Sequence, residues 1–497
     1  MKVQAYRSES TSQRSSVETP EPVSTPAANG PGSSSTEAAA PAASSGPHPL
    51  GLPRLRTMDR QQLLPPMLLD QIIESDHPAR SVWRFVEGLD LALLYDRIRS
   101  RQNTPGRPAT DPRILVALWL YAILYSVISA RRLAELCNCH NAFRWLRGGV
   151  PLNHHMLSDF LVEHVEFLEE LFTHSVAVLQ QEGLVDLDRV GQDGVRVRAS
   201  AGAASFRRRA TLEKLLQEAK QEVQRVKEKT TQQAEDERSE VTYPEEVAVG
   251  KANPSRRAKK PSAQQRAAEK RAAEERLERV EQAVERLPEM EAKKKPEDKK
   301  EARVSTTDPE ATVMKMGDGG YRPAYNIQYS TDTASQVIVG VEVVTVGSDQ
   351  GQLPPMLDQI EERFDKRPKE ALVDGGFANH EDIEEVQAGV GEQGGCKVYA
   401  PVPKPKKENV DRHAPHAGDS AQVAEWRQRM TTDEAKEIYK ERAATAECVN
   451  ALARNRGMIR LLVRGLKKVK AVAVWFATVH NMARGFALFP QNVTTEG

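Results

Sequence analysis

The spacing of hydrophobic and polar positions changes along this chain and divides it into regions. Between about Leu63 and Gly183 the apolar residues recur every three or four positions, which predicts amphipathic helices. After Gly183 the spacing alternates, and short apolar runs bounded by turn residues predict strands. A helix predicted over Leu353 to Phe364 lies between these strands. The pattern therefore indicates an all-helical region followed by a mixed α/β or α+β region.

The predicted strands are short. We expect extended chain over 185–198, interrupted by a Gly-containing turn, and further strands over 325–329, 337–346, 370–374 and 397–402. Residues 330–335 are predicted to form the turn between the second and third of these. Together they suggest a small mixed sheet.

A segment rich in Lys, Arg, Glu, Gln and Ala, about residues 206–304, interrupts the strands. Its apolar residues follow a 4-3 repeat in two parts, which is typical of a coiled coil. The repeat positions are Leu212, Leu216, Ala219, Val223 and Val226 in the first part, and Ala273, Leu277, Val280, Val284 and Leu287 in the second. We predict an antiparallel helical hairpin joined by residues 244–261. The alternative is a solvated, partly disordered linker.

These patterns predict a domain organisation. Residues 1–60 are rich in Ser, Pro and Ala and are expected to be a disordered arm, because they contain too few large apolar side chains to form a core. Residues 61–183 form a helical N-terminal domain, and residues 184–205 with 305–488 form the α/β core. The charged insertion covers 206–304, and 489–497 is a tail.

Composition excludes several classes of protein. The chain has 497 residues with 70 Lys plus Arg and 70 Asp plus Glu, so it has no overall charge that would attract nucleic acid. Four cysteines exclude a disulfide scaffold and favour a reducing cytosol. The most apolar stretch, Ile114 to Ile128, is shorter than the roughly 20 residues that span a bilayer. Thr110 and Asp111 as caps, with Pro112 in the first turn, predict a buried helix of a globular protein.

Residues 129–146 are compatible with a helix-turn-helix. Two short helices separated by a turn at Asn138 to Asn141 would present one of them to a DNA groove. Ordinary helix packing explains the same pattern.

Three acidic residues are candidates for catalysis. Asp193 ends or follows a strand, Asp374 ends a short apolar strand before two glycines, and Glu447 lies on a helix predicted from about Asp433 to Arg456. Carboxylates brought together from such positions can hold two Mg²⁺ ions, which prefer oxygen ligands. Two metals can activate a water or a 3′-hydroxyl and stabilise the leaving oxygen.

The segment after Glu447 is strongly basic. No acidic residue occurs between 448 and 470, where the basic residues are Arg454, Arg456, Arg460, Arg464, Lys467, Lys468 and Lys470. A local excess of this kind is typical of phosphate contact. We therefore predict that this run binds DNA.

The ordered motifs of residues 63–488 resemble those of a bacterial insertion-sequence transposase with an RNase H-like DDE core. The resemblance is to the group named after insertion sequence eleven eighty-two. Its motifs are 105–108 (PGRP), 129–132 (SARR), 157–160 (LSDF), 192–199 (QDGVRVRA), 307–311 (TDPEA), 347–353 (GSDQGQL), 373–377 (VDGGF), 426–430 (WRQRM), 439–442 (YKER), 446–450 (AECVN), 464–469 (RGLKKV) and 480–481 (HN).

The resemblance implies roles for particular residues. The catalytic and metal-binding acids would be Asp193, Asp374 and Glu447. Tyr439, Arg442 and Arg454 would be helper residues near the scissile phosphate. Two Mg²⁺ ions are implied as cofactors, with Mn²⁺ as a possible substitute.

The same resemblance implies partners and a location. The DNA partners would be the terminal inverted repeats of the element and its target, bound by a homodimer or a larger synaptic assembly in the bacterial cytosol at the nucleoid, without a membrane. Two alternatives stay open. One is a catalytically inactive relic or regulator that still binds DNA, and the other is a helical scaffold protein built around the charged insertion.

Overall fold

The structure is a computed structural model and describes residues 67–100, 108–239, 262–388, 395–405 and 411–489. The helices are α1 (Pro78–Glu87), α2 (Ala92–Asp96), α3 (Pro112–Leu124), α4 (Ala130–Cys139), α5 (Asn141–Arg147), α6 (His154–Glu163), α7 (Val165–Gln181), α8 (Arg209–Ser239), α9 (Ala263–Ala292), α10 (Leu353–Phe364), α11 (His380–Ala388), α12 (Ala421–Arg429), α13 (Asp433–Arg442), α14 (Cys448–Asn455) and α15 (Leu466–Leu488). The strands are β1 (Arg189–Arg198), β2 (Phe206–Arg207), β3 (Val304–Ser305), β4 (Thr312–Lys315), β5 (Tyr321–Asp332), β6 (Ile338–Val344), β7 (Glu370–Leu372) and β8 (Lys397–Tyr399).

The main sheet mixes antiparallel and parallel pairing, so the fold is α+β as the residue pattern predicts. Strand β1 lies at its centre, pairs antiparallel with β5 and pairs parallel with β7, which in turn pairs parallel with β8. Strands β4 and β6 pair antiparallel with the two halves of β5. Strands β2 and β3 form a separate two-stranded pair.

The helix predicted at Ile114 is α3, and its capping is confirmed. The Asp111 side chain accepts a hydrogen bond from the backbone N–H of Arg113, and Pro112 begins the helix. Nearly every residue of α3 is buried in the core. Within the described residues, no helix combines the length and the apolar character that a membrane crossing requires.

Helix α15 is buried between the sheet and the N-terminal helices. Its Trp475 indole donates a hydrogen bond to the carbonyl of Leu161 in α6, and its Phe476 ring packs 5.4 Å from Tyr329 of β5. The Asn481 side chain bonds both the N–H and the carbonyl of Ile338, at 2.8 and 2.7 Å. These two bonds satisfy backbone groups of β6, which would otherwise be buried without partners.

The strand predictions are correct in position and wrong in some boundaries. Strand β5 continues to Asp332, so the turn predicted at 330–335 begins later. Strand β1 runs without a turn from Arg189 to Arg198, so Asp193 lies in the middle of the strand and not at its end. By local preference alone, Gly194 favours a turn. Pairing of β1 with both β5 and β7 outweighs that preference.

The charged segment contains two long helices, α8 and α9, that pack side by side. Leu212 near the start of α8 is buried with Leu287 near the end of α9, and Val223 further along α8 is buried with Ala273. The helices therefore run antiparallel. Leu216 and Leu277, which the repeat places at the centre of the seam, are only half-buried.

Several predictions fall on residues that the structure does not describe. The arm at 1–60, the whole link at 244–261 and all of the tail except Phe489 lie outside the described residues.

Shortening a buried leucine in this hairpin should make the hairpin easier for a protease to cleave. Leu287→Ala removes a side chain that is 1% exposed beside Leu212 and Val304. Such a change lowers the free energy of unfolding by about 2–5 kcal/mol. Because the loss falls on the local packing of α8 and α9, we expect tryptic cleavage within 209–292 of the full chain to become at least about tenfold faster.

Glu281→Ala on the exposed side of α9 is the matched control, because it alters no tryptic site. Cleavage at the same rate in Leu287→Ala and in the control would contradict packing of the hairpin at this position.

A buried histidine on α15 should make the fold sensitive to acid. Burial lowers the pKa of His480 to about 4, and its Nε2–H donates to the carbonyl of Gln336 at 2.8 Å. The unfolded chain binds a proton at this position near pH 6.5. Stability should therefore fall as the pH drops from about 6.5 to about 4, by up to about 3 kcal/mol, and this contribution should level off below that range.

Urea unfolding at a series of pH values checks this. His480→Gln keeps a donor and removes the titration, so the decline between pH 6.5 and 4 should be shallower than in the wild type. Exposed His155→Gln is the control and should leave the slope unchanged. If stability declined as steeply in His480→Gln as in the wild type, His480 would not be the group responsible for the decline.

Candidate active site

Asp193 stands on the central strand with its carboxylate largely buried. Its side chain is 17% exposed, its Oδ2 is 3.1 Å from Nη2 of Arg442, and its Oδ1 accepts the N–H of Gly194. Burial raises the pKa of Asp193 to about 6, the Arg442 charge opposes that rise, and the charge of Asp374 adds to it. A desolvated carboxyl of this kind is more stable as an anion when a cation stands beside it.

Asp374 reaches the same region from the neighbouring strand. Strand β7 pairs in parallel with β1, with Leu372 opposite Gly191, so the chain leaving β7 runs alongside Asp193. The Asp374 Oδ1 accepts the N–H of Gly376 at 2.7 Å, which fixes the carboxylate at the start of the following turn. The position of Asp374 just after a buried strand is as predicted.

Glu447 comes from a helical segment that contains a π turn. Residues Ala443–Glu447 are π-helical between α13 and α14. Side chains five residues apart on an α-helix point about 140° apart, whereas i→i+5 bonding brings them onto one side. The extra residue therefore aligns Glu447 with Arg442, and the two side chains bond at 2.6 Å. Local widenings of this kind are frequent at functional sites.

The π turn packs closely against the central strand. A Cβ at Gly191 would lie 2.8 Å from Oγ1 of Thr445 and 3.5 Å from Cβ of Ala446, so only glycine permits this approach. Arg189 at the start of β1 holds the same helix by pairing with Glu441, and it also pairs with Glu370 of β7. These two ion pairs connect β1 to β7 and to α13 close to the acids.

Arg442 links two of the acids, Asp193 and Glu447. Its guanidinium pairs with Asp193 through Nη2 and with Glu447 through Nη1, and the residue is 8% exposed. Glu447 itself is 56% exposed on its side chain, so the centre opens to solvent on that side.

The other predicted helper residues lie nearby on the same helical segment. Tyr439 is half-buried, and burial raises its pKa, with the charges of Arg442, Asp374, Glu447 and Asp193 also acting on it. Arg454 is exposed on α14, seven residues and so about two turns after Glu447. The structure therefore brings Asp193, Asp374, Glu447, Tyr439 and Arg442 into one region.

The donor set is chemically suited to a divalent cation. All three acids offer carboxylate oxygens, the hard ligands that Mg²⁺ and Mn²⁺ prefer. Within the described part of the chain, no three His, Cys, Asp or Glu side chains are gathered as a group that could hold a metal. The Arg442 guanidinium instead pairs with the carboxylates of Asp193 and Glu447.

The basic run after Glu447 is not one continuous strip. Arg460 and Arg464 are exposed, and they lie beside β1, where Arg464 donates to the carbonyl of Ser200. Lys470 pairs with Glu169 and Glu342. Arg456 is half-buried, with its guanidinium 5.9 Å over the Phe476 ring. That packing takes Arg456 out of the predicted phosphate contact, because its charge faces the core.

Sequence reasoning assigned no role to Asp349, which the structure places beside the same acids. Its charge acts on Asp193, and its side chain is 11% exposed. The available signal was its position after a predicted strand and before a predicted helix, within the stretch 347–353.

Two parts of the chain match known protein families. Residues 67–163 match the family described as Transposase domain (DUF772), and residues 394–485 match the family described as Transposase DDE domain. The second match includes Tyr439, Arg442 and Glu447. The searches of curated proteins and of solved structures found no match.

The two matches fall on different parts of the chain, one on the N-terminal helices and one on the segment that carries Glu447. Over these two parts the chain is similar to transposase domains, and over the second part to a DDE domain.

Proposed function

We propose that this protein is a transposase that binds the terminal inverted repeats of an insertion sequence and catalyses metal-dependent strand cleavage and strand transfer. The observation that carries the proposal is that Arg442 pairs with both Asp193 and Glu447, while the charge of Asp374 acts on Asp193. Strand β1, the turn after β7 and the π turn supply one acid each. The match of residues 394–485 to a DDE domain supports this choice of chemistry.

The proposal includes a fold and a family group. The core is RNase H-like and consists of residues 184–205 and 305–488, with an acid on the central strand and another after the parallel neighbour. Residues 206–304 are a coiled-coil insertion, supported by the antiparallel packing of α8 and α9. Residues 61–183 are the helical DNA-binding domain. The group named after insertion sequence eleven eighty-two remains our proposal for the closer relationship.

In the proposed mechanism Asp193, Asp374 and Glu447 bind two divalent cations, Mg²⁺ or Mn²⁺. Such a pair supplies an activated water or 3′-hydroxyl and stabilises the leaving oxygen of an in-line displacement. Asp193 must be ionised to take part, and the adjacent Arg442 favours that state. Glu447, the most exposed of the three, lies where DNA would approach.

Arg442 has two successive tasks in this proposal. Before loading it neutralises Asp193 and Glu447, which would otherwise repel each other in a partly buried site. On loading it releases at least one of these carboxylates and becomes free to contact a phosphate. Tyr439 orients the phosphate and Arg454 adds a positive charge at the exposed end of the segment.

Duplex DNA is the proposed partner of two surfaces. Helices α4 and α5 form the helix-turn-helix candidate, in which Phe143 and Leu146 are buried while Arg131 and Arg144 are exposed. Exposed Arg460 and Arg464 contribute phosphate contacts beside the core. We propose a homodimer or a larger synaptic assembly, located in the bacterial cytosol at the nucleoid.

Replacing any one of the three acids by its amide should abolish cleavage and leave end binding nearly intact. Asp193→Asn, Asp374→Asn and Glu447→Gln each remove an anionic ligand and keep the shape of the side chain. We expect each to retain less than a few per cent of wild-type cleavage in Mg²⁺. The assay uses a duplex that carries the inverted repeat found beside the gene, with binding measured by gel shift.

Asp433→Asn is the matched control, because Asp433 lies on α13 with its side chain 98% exposed. It should cleave normally. An acid whose amide variant cleaves as well as this control would be reassigned as structural. Tight end binding without cleavage by the wild type would favour the inactive relic.

Neutralising Arg460 and Arg464 should weaken DNA binding without changing the preferred sequence. Each lost phosphate contact should reduce the slope of log K against log salt by about 0.9. Filter binding of the Arg460→Ala/Arg464→Ala variant across a salt series measures this slope.

Arg456→Gln removes a charge from the same run at a half-buried position, so its slope should equal that of the wild type. An unchanged slope in the double variant, with normal thermal unfolding, would show that the DNA path lies elsewhere.

A further inference from the structure

A cleft beside Tyr439 has no part in the roles proposed above. It has a volume of about 540 Å³ and lies between the chain after β8, the segment 411–419, the residues that follow α12, and α13. We call it the Tyr439 cleft. It adjoins the proposed centre, because Tyr439 stands about one helical turn before Arg442 and the charges of all three acids act on its hydroxyl.

The Tyr439 cleft combines a basic side with an apolar side. The basic side consists of Arg412 and Lys436, both exposed, and no acidic side chain is among the described residues that line the cleft. The apolar side consists of Pro401, Val402 and Met430, of which the last two are buried. Cations beside an apolar wall suit a nucleotide, because its phosphate is charged and its base has a flat face that packs against such a wall.

Neither cation is neutralised inside the cleft. The Nε–H of Arg412 donates to Nε2 of His413 at 2.9 Å, and no carboxylate of the described residues pairs with this guanidinium. The His413 ring is therefore neutral, and its Nδ1–H donates to the carbonyl of Arg427 at 3.2 Å. Lys436 pairs with Asp433, whose side chain is 98% exposed, and exposed pairs of this kind are weak. Both charges are thus available to an anion that enters the cleft.

The motif at 426–430 holds the two sides of the cleft in place. The Trp426 indole donates to the carbonyl of Ala400 at 3.2 Å, which fastens the apolar side. Arg427 is 7% exposed and donates to the carbonyl of Arg412 at 2.8 Å, which fastens the basic side. The cleft is therefore formed before a ligand binds, as sites for small ligands usually are.

The size and position of the cleft favour one DNA strand over a duplex. Its volume of about 540 Å³ lies within the roughly 300–1,000 Å³ of small-ligand pockets. A duplex is too wide to enter, since its major groove alone measures about 12 Å. Lys436 and Arg442 both lie on α13, about 9 Å apart along its axis. A strand that reaches Arg442 can therefore continue into the cleft where its base is unpaired.

We propose that the Tyr439 cleft binds one unpaired nucleotide of the DNA strand that reaches the acids. Arg412 and Lys436 contact its phosphate, and its base lies against Pro401 and Met430. The inference rests on the proposed function, since it names the form in which the DNA occupies this part of the centre. It involves no metal, so it is tested in EDTA.

Two versions of the inverted-repeat duplex test this with the full chain. One is fully paired, and in the other, the splayed duplex, the nucleotides next to the cut are left unpaired. The wild type should bind the splayed duplex at least about fivefold more tightly, because it does not have to unpair the nucleotide first. In Arg412→Gln/Lys436→Gln this preference should fall below about twofold, because the phosphate contacts are lost. Both side chains are exposed, so thermal unfolding should be unchanged.

Lys440→Gln is the matched control. Lys440 lies on α13 one turn after Lys436 and pairs with Glu437 as Lys436 pairs with Asp433, but it is not among the residues that line the cleft. This variant should keep the wild-type preference for the splayed duplex. A splayed duplex with an abasic site at the unpaired position tests the apolar side, and the wild type should bind it severalfold more weakly.

The outcomes separate this inference from the proposed function. Equal affinity of the wild type for the paired and splayed duplexes, a wild-type preference in Arg412→Gln/Lys436→Gln, or full affinity for the abasic duplex overturns the cleft as a nucleotide site and leaves the role of the acids untouched. A wild type that binds none of these duplexes overturns the proposed function and this inference with it. Loss of the preference in the double variant, with its retention in Lys440→Gln, supports the assignment.

Discussion

The pairing of Arg442 with Asp193 and Glu447 is the interaction on which the arrangement of this centre depends. Carboxylates gathered in a partly buried region repel each other and lose hydration, and either effect alone favours protonation or separation. One guanidinium between two of them offsets both. The raised pKa of Asp193 indicates that the compensation is incomplete.

The backbone is adapted to this pairing at two places. The π turn at Ala443–Glu447 rotates Glu447 onto the side of Arg442, and Gly191 lets that turn lie against β1. Neither feature improves the regularity of its own helix or strand. Both become understandable as the means by which strand and helix bring their charged side chains within reach of each other.

The sheet that carries Asp193 packs against a helix that supplies none of the three acids. Helix α15 is buried between the N-terminal helices and the sheet, and Asn481 satisfies the backbone of β6. The carboxylates of Asp308 and Glu310 accept the N–H groups of Gly465 and Leu466 at its start, where a helix favours negative charge. The segment 307–311, at the exit from the charged hairpin, is thereby joined to the core.

The sequence by itself determined the kinds of element, the capped start of α3, and the acid after the buried strand at Asp374. These depend on local periodicity, on caps and on turn residues, all of which act within a few positions. Tertiary structure decided that β1 continues through Gly194, that Arg456 faces the core, and that Asn326 and Gln328 hold the Asp349 carboxylate. Each of these depends on a contact between residues far apart in the chain, for which hydrophobic spacing carries no signal.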